Sequence, residues 1–171
     1  MIDFGWGAAL LGFLTLQRIA ELWWARQNER QLIAAGGVEY GRSHLLLIVF
    51  LHAAWLLGMW ALAYDRPIEP LFFPIVVLLQ IARFWVLATL GRRWTIRIIV
   101  VPGEKLVARG PYRWLRHPNY AVVTGEIAAV PLALGLPLYA LVFSILNAAV
   151  LAIRISAENA ALAAAASAQP R

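Results

Sequence analysis

The segment GPYRWLRHPNY, from Gly110 to Tyr120, stands directly before a long apolar run that continues to about residue 136. It carries basic and aromatic side chains and two prolines in eleven residues. Basic and aromatic residues of this kind gather where a helix meets the surface of a membrane. The junction therefore predicts a membrane helix that begins near residue 118, with polar side chains grouped at its start.

The composition of the whole chain is that of a membrane protein. Hydrophobic residues make up 62% of the 171 residues and charged residues 14%, and eight residues are tryptophan. A chain with so few charges cannot keep its surface hydrated as a soluble monomer. There is no cysteine, so a disulfide framework, a thiolate metal site and a cysteine nucleophile are excluded, and no metal site is expected. The first residues lack the features of a secretory signal peptide, so the first apolar segment is expected to be retained.

Five apolar stretches are predicted to cross the membrane, because each approaches the roughly 20 residues that span a hydrocarbon core. They cover residues 4–24, 44–64, 71–90, 119–136 and 138–155. Breaks at residues 65–70 and 135–137 contain proline, so the second and third spans and the fourth and fifth spans should each form an antiparallel hairpin. The alanine-rich residues 160–168 either extend the fifth span or fray.

These stretches predict an all-α fold, a polytopic bundle of about five transmembrane helices. Residues 1–171 form a single membrane domain, with the N-terminal spans in 1–90 and the second long loop, the C-terminal hairpin and the tail in 91–171. A polar pocket is expected at the cytosolic end of the C-terminal hairpin. The oligomeric state is left open.

The distribution of basic residues predicts the orientation of the bundle. The two long loops and the C-terminal region hold nearly all of them. The first long loop contains Arg26, Arg30 and Arg42, and the C-terminal region contains Arg154 and Arg171. The second long loop contains Arg92, Arg93, Arg97, Lys105, Arg109, Arg113 and Arg116. The opposite side holds Arg66 with Asp3, Asp65 and Glu69. An N-terminus outside and a C-terminus in the cytosol satisfy the positive-inside rule. Topology and anionic membrane lipids explain the net charge of +6, so no nucleic acid partner is expected.

The start of the fourth span is predicted to favour an anionic or hydrogen-bonding ligand. Pro118 suits the first turn of a helix, where its missing N–H is not needed, and His117 then lies near the cap. The free backbone N–H groups of such a terminus attract acceptors. The segment Arg-His-Pro on its own is consistent with either helix capping or ligand binding.

Five ionisable residues lie within or at the ends of the predicted spans: Arg18, Glu21, Arg83, Glu126 and Arg154. A charge is costly there unless it is paired or lines a hydrated cavity. Arg18 and Glu21 are expected to pair with each other, because they are three residues apart on one helix. Arg83 is expected to reach a carboxylate on another helix.

Polar residues on the last two spans are expected to face each other. Glu126 lies about 12 Å along the helix from Pro118 and on the face of Asn119. The fifth span carries Asn147, Arg154 and Glu158 on one face, at spacings of seven and four residues. The hairpin should place Glu126 at the depth of Asn147, with Asn119 and His117 near Arg154 and Glu158. For Glu126 and Asn147, a structural network that only holds the hairpin together fits equally well.

Two blocks of sequence resemble the isoprenylcysteine carboxyl methyltransferase family of integral membrane enzymes. The first runs from Gly103 to Tyr120, and the second, Arg154-Ile-Ser-Ala-Glu158 with Leu162, is similar to the family's Arg-Ile-x-x-Glu-x-x-x-Leu element. Trp94-Thr95 fits the bacterial branch. Related lipid methyltransferases often have Glu-Glu and a glycine two residues after the motif tyrosine, whereas this chain has Glu158-Asn159 and Tyr120-Ala-Val122.

The resemblance implies a methyltransferase of the bacterial inner membrane that uses S-adenosylmethionine. The cofactor-binding candidates are Tyr112, Arg116, His117, Pro118, Asn119, Tyr120 and Glu158. The catalytic candidates are Arg154 and Glu158, from the resemblance, and Glu126 and Asn147, from their positions.

The methyl acceptor is expected to be a lipophilic small molecule or a lipidated substrate, with either an alkylpyrone or alkylresorcinol hydroxyl or a prenylcysteine-type carboxylate. Positioning and exclusion of water should dominate such a transfer. The alternatives are a methyltransferase for phospholipid amines and a membrane scaffold or small transporter without enzymatic activity.

Overall fold

The structure is a computed structural model that describes residues 5–40, 45–104 and 107–167, and residues 163–167 by their backbone alone. Its helices are α1 (Trp6–Ala34), α2 (Leu45–Ala63), α3 (Phe73–Leu90), α4 (Pro118–Ala133) and α5 (Pro137–Ser167). The prediction of an all-α fold is confirmed, and each predicted span overlaps one helix. The predicted placements of Asp3, Arg42, Lys105 and Arg171 lie outside the described residues.

The helices have the length and surface of a membrane protein. Among the described residues, three helical segments are long and apolar enough to cross a membrane: Leu45–Ala63, Phe73–Arg93 and Pro137–Leu162. The count of five spans stays a prediction, since α4 has only 16 residues and α1 contains charged side chains. Large apolar side chains such as Phe50, which is 76% exposed, cover the outside of the helices. Such a surface matches lipid rather than water, so the protein is an integral membrane protein.

Both predicted hairpins are present, and their turns lie at the same end of the bundle. Gly135 lies in the middle of the α4–α5 turn with a φ of +68°, a conformation that favours glycine. Arg66 Nη1 donates a hydrogen bond to the carbonyl of Gly135 (3.1 Å), and the Glu69 N–H donates to the carbonyl of Ala133 (2.8 Å). The N–H of Gly7, at the start of α1, donates to the carbonyl of Arg66 (3.1 Å). The start of α1 therefore lies beside the two turns.

A two-stranded antiparallel sheet marks the other end of the bundle. Strand β1 (Val38–Tyr40) follows α1, strand β2 (Ile98–Val100) follows α3, and Val38 pairs with Val100. Each strand belongs to one of the two long basic connections, so the sheet holds both connections at one end. The sequence did not predict this sheet, because a three-residue strand is too short for its alternation of apolar and polar residues to be recognised.

Helix α1 is longer than predicted. Arg26 and Arg30 were predicted to lie in a loop, which is wrong: they lie on a helical extension that ends at Ala34. The extension is helical because it packs against the end of α3 and the segment after it. Ala25 is fully buried in a cluster with Leu87 and Trp94, and Asn28 is 3% exposed. The Asn28 side-chain amide donates hydrogen bonds to the carbonyls of Gly91 (3.1 Å) and Trp94 (2.8 Å). The fall in hydropathy near residue 24 marks the end of the apolar stretch and not the end of the helix.

Helix α4 lies at the centre of the bundle, between α3 and α5. One of its faces is closed by apolar contacts, where Ile127 and Val130 are 1% and 0% exposed. A glycine allows the close approach of α3, since a Cβ atom at Gly125 would lie 2.6 Å from Leu79 Cδ2. The central position of α4 brings its polar residues into the interior, where a charge needs a partner.

Candidate functional site

Four polar side chains meet where α4 begins and α5 passes beside it, and they form what we call the polar cluster: His117, Tyr120, Arg154 and Glu158. The Tyr120 hydroxyl donates a hydrogen bond to Glu158 Oε2, and Arg154 Nε donates to the Tyr120 oxygen at 3.3 Å. His117 Nδ1 lies 3.7 Å from Glu158 Oε1, and the rings of His117 and Tyr120 stack with their centroids 5.2 Å apart. The predicted approach of His117 to Glu158 is therefore present.

Local helix geometry explains why these side chains converge. Pro118 is the first residue of α4 and His117 is its N-cap, as the sequence predicted. Tyr120 follows within the first turn, so it projects near the helix end. Arg154 and Glu158 are four residues apart on α5 and hence lie on the same side of that helix. Packing of α5 against α4 then brings the two pairs together.

Tyr112 extends the polar cluster on the side of the connecting loop. It lies in a short 3₁₀ turn, Gly110–Arg113, and is partly buried. Burial raises the pKa of the Tyr112 hydroxyl, and the negative charge of Glu158 raises it further. The hydroxyl therefore stays protonated at neutral pH and can donate a hydrogen bond. Arg116, by contrast, is exposed and makes no ion pair or hydrogen bond with the described part of the chain.

A cavity of about 400 Å³ adjoins the polar cluster. Small-molecule sites commonly measure roughly 300–1,000 Å³. Asn119 and Tyr120 of α4, Arg154 of α5 and the segment 94–96 form one wall, which we call the polar wall. Arg154 Nη2 donates to the carbonyl of Ile96 at 2.7 Å, which fixes α5 to this segment. The cavity and the polar cluster thus share Tyr120 and Arg154.

The wall formed by α1 and α2 is mainly apolar and reaches the outer surface of the protein. Ile19 of α1 and Val49 and Leu57 of α2 line the cavity and are 58%, 45% and 67% exposed. Trp60 Nε1 donates to Thr15 Oγ1 at 3.0 Å and joins the two helices at the end of the cavity remote from the sheet. The exposed apolar rim makes the cavity accessible from the lipid side.

Two buried polar atoms of the polar wall have no hydrogen-bond partner among the described residues. They are Asn119 Oδ1, an acceptor, and Trp94 Nε1, a donor. Leaving a buried polar group unpaired costs about 1–3 kcal/mol, so such groups are rare unless a ligand pairs with them. Both residues line the cavity. A ligand with both donor and acceptor groups therefore fits this wall.

Beside the cavity lies a buried charge network made of Arg18, Glu21, Arg83 and Glu126, with Gln80. Arg83 donates to both oxygens of Glu21 and, at 2.9 Å, to Glu126 Oε2. Arg18 donates to Glu126 Oε2 at 2.6 Å and to Glu21 Oε2 at 3.0 Å. Two arginines and two glutamates balance within this network, which connects α1, α3 and α4. The expected pairing of Arg18 with Glu21, and of Arg83 with another helix, is confirmed.

Similarity to known proteins identifies the family of this chain. The sequence profile of the isoprenylcysteine carboxyl methyltransferase (ICMT) family matches residues 72–164, more than half of the chain. The chain belongs to the ICMT family. It is 40% identical to YpbQ, an uncharacterized protein of Bacillus subtilis, over 90% of this chain and 94% of that protein. An uncharacterized protein of Haemophilus influenzae is 25% identical over 80% of this chain and 83% of its own length.

ICMT membership makes the protein a membrane methyltransferase. No solved structure matches the chain. The region that matches the ICMT family includes the whole polar cluster and the polar wall of the cavity. The apolar wall, on α1 and α2, lies before that region.

The fold does not bring all of the predicted site residues together. Tyr112, His117, Tyr120, Arg154 and Glu158 come together, and Asn119 lies beside Tyr120 in the polar wall. Pro118 is buried as the first residue of α4. Glu126 and Asn147 are each 1% exposed and do not line the cavity. Glu126 belongs to the charge network, and Asn147 makes no side-chain hydrogen bond with the described residues.

Two residues near the site were not found from the sequence. Gln80 Nε2 donates a hydrogen bond to Glu126 Oε1 at 2.8 Å. Gln80 and Arg83 are three residues apart on α3, and this spacing could have predicted that both lie on one face of the helix. His52 of α2 lines the cavity. A single histidine in an apolar helix gives no periodic signal, so only the packing of α2 shows that it faces the cavity.

Proposed function

We propose that this member of the ICMT family is an S-adenosylmethionine-dependent O-methyltransferase that acts on a lipid-tailed acceptor. The acceptor presents a hydroxyl of the alkylpyrone or alkylresorcinol type or a carboxylate of the prenylcysteine type. The observation that carries the proposal is the position of the polar cluster at the wall of an apolar cavity that opens toward lipid. This arrangement suits a reaction between a polar cofactor and an apolar acceptor.

The residues of the polar cluster fit the proposed cofactor. S-adenosylmethionine, when bound, supplies an activated methyl group. Glu158 offers a carboxylate for hydroxyl or ammonium groups, and His117 and Tyr120 offer stacked rings. Asn119 Oδ1 offers the unpaired acceptor described above, and the protonated Tyr112 hydroxyl offers a donor. Together they present both the charges and the hydrogen-bonding groups that this molecule requires.

The charges around the cavity favour an oxygen acceptor over an amine. Among the described residues three arginines, Arg18, Arg83 and Arg154, line the cavity. Glu21 and Glu126 balance the charges of Arg18 and Arg83. A protonated phospholipid amine would be repelled by the guanidinium of Arg154, which lies outside the balanced network, whereas an anionic oxygen is attracted. Arg154 uses two of its five N–H groups on Tyr120 and Ile96, so the others remain to orient the acceptor. The apolar wall excludes water from the reacting oxygen.

The acceptor preference can be tested with the purified protein in lipid nanodiscs. A long-chain hydroxypyrone, its short-chain analogue, a prenylcysteine and phosphatidylethanolamine are offered in turn with labelled S-adenosylmethionine. Label is expected on the oxygen of a long-chain acceptor, with turnover of the short-chain analogue lower by about 10-fold or more, because several buried CH₂ groups are lost at about 0.8 kcal/mol each. Equal turnover of the short chain would contradict entry from lipid, and labelled phosphatidylethanolamine would contradict the oxygen assignment.

The proposal places the polar cluster on the cytosolic side of a bacterial inner membrane, where the positive-inside rule puts the basic connections. The chain has no cysteine, so single cysteines can be introduced without background. Cysteines at the exposed positions Glu69 and Ala108, which lie at opposite ends of the bundle, are expected to react with an impermeant thiol reagent from opposite sides. In intact cells the Glu69→Cys variant should be labelled and the Ala108→Cys variant should not. The reverse pattern would invert the topology.

A further inference from the structure

Helix α2 contributes one titratable side chain to the described lining of the cavity, that of His52. It is the eighth residue of α2, and the ring Nδ1 is 2.8 Å from the carbonyl oxygen of Ile48 on the preceding turn. Neither the sequence motifs nor the ICMT match includes this residue, since the match begins at residue 72. The proposed cofactor site and the charge network do not use it.

The contact with Ile48 fixes which nitrogen of His52 carries the proton. A carbonyl oxygen can only accept a hydrogen bond, so Nδ1 must be the protonated donor. In the neutral ring Nε2 then carries the free lone pair. Nε2 has no hydrogen-bond partner among the described residues. It is not fully buried either, so a molecule in the cavity can reach it. His52 therefore presents an open proton acceptor within an otherwise apolar part of the cavity wall.

The neighbours of His52 are already committed to other partners. The cavity is also lined by Arg18 and Glu21 of α1, Arg83 of α3, Tyr120 of α4 and Arg154 of α5, and the charge of Glu126 on α4 also acts on the ring. Arg18 and Arg83 are held by the two glutamates, and Tyr120 is held by Glu158 and Arg154. Within the described ranges of the chain, no carboxylate forms an ion pair with His52. Nε2 is thus available to a ligand in the cavity.

We propose that His52 Nε2 accepts the proton of the acceptor hydroxyl and thereby selects a phenol-type or enol-type hydroxyl over a carboxylate. This inference rests on the proposed function, because it assigns the acceptor within that reaction. The O–H bond breaks and its proton goes to Nε2. The oxygen electron pair forms the new bond to the methyl carbon, and the electrons of the former methyl–sulfur bond remain on sulfur, which leaves as a neutral thioether. The proton then passes from Nε2 to water.

The chemistry of the two acceptor classes explains the selection. A hydroxyl on an aromatic or enolic ring has a proton to donate, and its oxygen becomes a good nucleophile only as that proton is removed. An ionised carboxylate has no such proton, so the lone pair of Nε2 gives it no hydrogen bond. General-base assistance of this kind contributes about 10²–10⁴-fold to a rate. His52 therefore matters for a hydroxyl acceptor and is dispensable for a carboxylate.

Binding without the cofactor gives a readout that does not depend on methyl transfer. Calorimetry compares a long-chain alkylresorcinol with its dimethyl ether, which has the same tail and no hydroxyl. The wild-type protein is expected to bind the resorcinol about 5- to 10-fold more tightly, as one neutral hydrogen bond provides. His52→Phe should abolish this preference. His52→Gln should keep it, since the amide oxygen still accepts a hydrogen bond, yet should lower turnover of the resorcinol about 100-fold or more, since an amide cannot take the proton.

A neighbouring substitution controls for general effects on α2. Phe50 is on the same helix, is 76% exposed and does not line the cavity, so Phe50→Leu should leave both the binding preference and the turnover unchanged.

Equal binding of resorcinol and ether by the wild type, or full resorcinol turnover by His52→Gln, would overturn the role of His52. If the wild type prefers the resorcinol through His52 yet methylates none of the acceptors, the hydroxyl site stands and the proposed function fails. If prenylcysteine is the preferred acceptor and His52→Gln methylates it normally, the proposed function stands and the selection by His52 fails.

Discussion

Replacing Glu126 by alanine is expected to destabilise the protein by about 3–5 kcal/mol, the usual effect of removing one partner from a buried ion pair. Glu126 is 1% exposed and accepts hydrogen bonds from Arg18, Arg83 and Gln80. Without it, two guanidinium groups would share the single carboxylate of Glu21. One positive charge would then remain uncompensated inside an apolar bundle, where it is most costly.

The matched control is the same substitution in an exposed ion pair. Glu104 pairs with Arg93 at 2.7 Å, and the two side chains are 46% and 34% exposed. Glu104→Ala should cost at most about 1 kcal/mol, because water screens and solvates such charges. Unfolding of both variants in the same detergent, followed by circular dichroism, measures the difference. Unfolding of Glu126→Ala at the same temperature as Glu104→Ala would show that the network does not hold the bundle together.

Glu126 also shows where inference from sequence alone ends. Spacing placed it on the face of Asn119 and toward the fifth span, whereas its side chain pairs with α1 and α3. The sequence also could not choose between a catalytic and a structural role. The choice depends on the partners that α1 and α3 bring to it, and those contacts join residues 108 and 43 positions apart in the chain. Oε1 of Glu126 accepts a hydrogen bond from Gln80, and Oε2 accepts from Arg18 and Arg83. These contacts support a positioning role in which Glu126 holds Arg18 and Arg83 beside the cavity.

The fold could be predicted in its main lines because hydropathy acts locally. The positions of the five helices, the two proline-marked turns and the start of α4 at Pro118 follow from short stretches of sequence. The extension of α1 and the two-stranded sheet could not be predicted in this way. Both depend on contacts between the first and second long connections, such as those of Asn28 with Gly91 and of Val38 with Val100.

The part of the candidate site that could be predicted lies within two short blocks of sequence, residues 103–120 and 154–162. The spacing of Arg154 and Glu158, and the position of His117 at a helix start, predicted their meeting. The cavity has its apolar wall on α1 and α2, which carry neither block. Its polar members on those helices, including His52, could not be assigned until packing showed that they face the same space.

Substitution of Glu158 by alanine is expected to weaken binding of S-adenosylmethionine roughly 10- to 100-fold, because hydrogen bonds to a charged group contribute about 1.5–3 kcal/mol. Glu158 is the acceptor for Tyr120 and lies 3.7 Å from His117, so its removal also frees two other groups of the polar cluster. Asn159 is the next residue on α5 and is exposed. Asn159→Ala therefore provides the matched control and should bind the cofactor as the wild type does.

Calorimetric titration of S-adenosylmethionine into the detergent-solubilised protein tests most directly whether the polar cluster is a methyl-donor site. The wild type and Asn159→Ala are expected to bind the cofactor with the same affinity, and Glu158→Ala and His117→Ala are expected to bind it more weakly. Retained folding of each variant is checked by its unfolding temperature. Absence of binding by the folded wild type, or unchanged affinity in both Glu158→Ala and His117→Ala, would contradict the assignment.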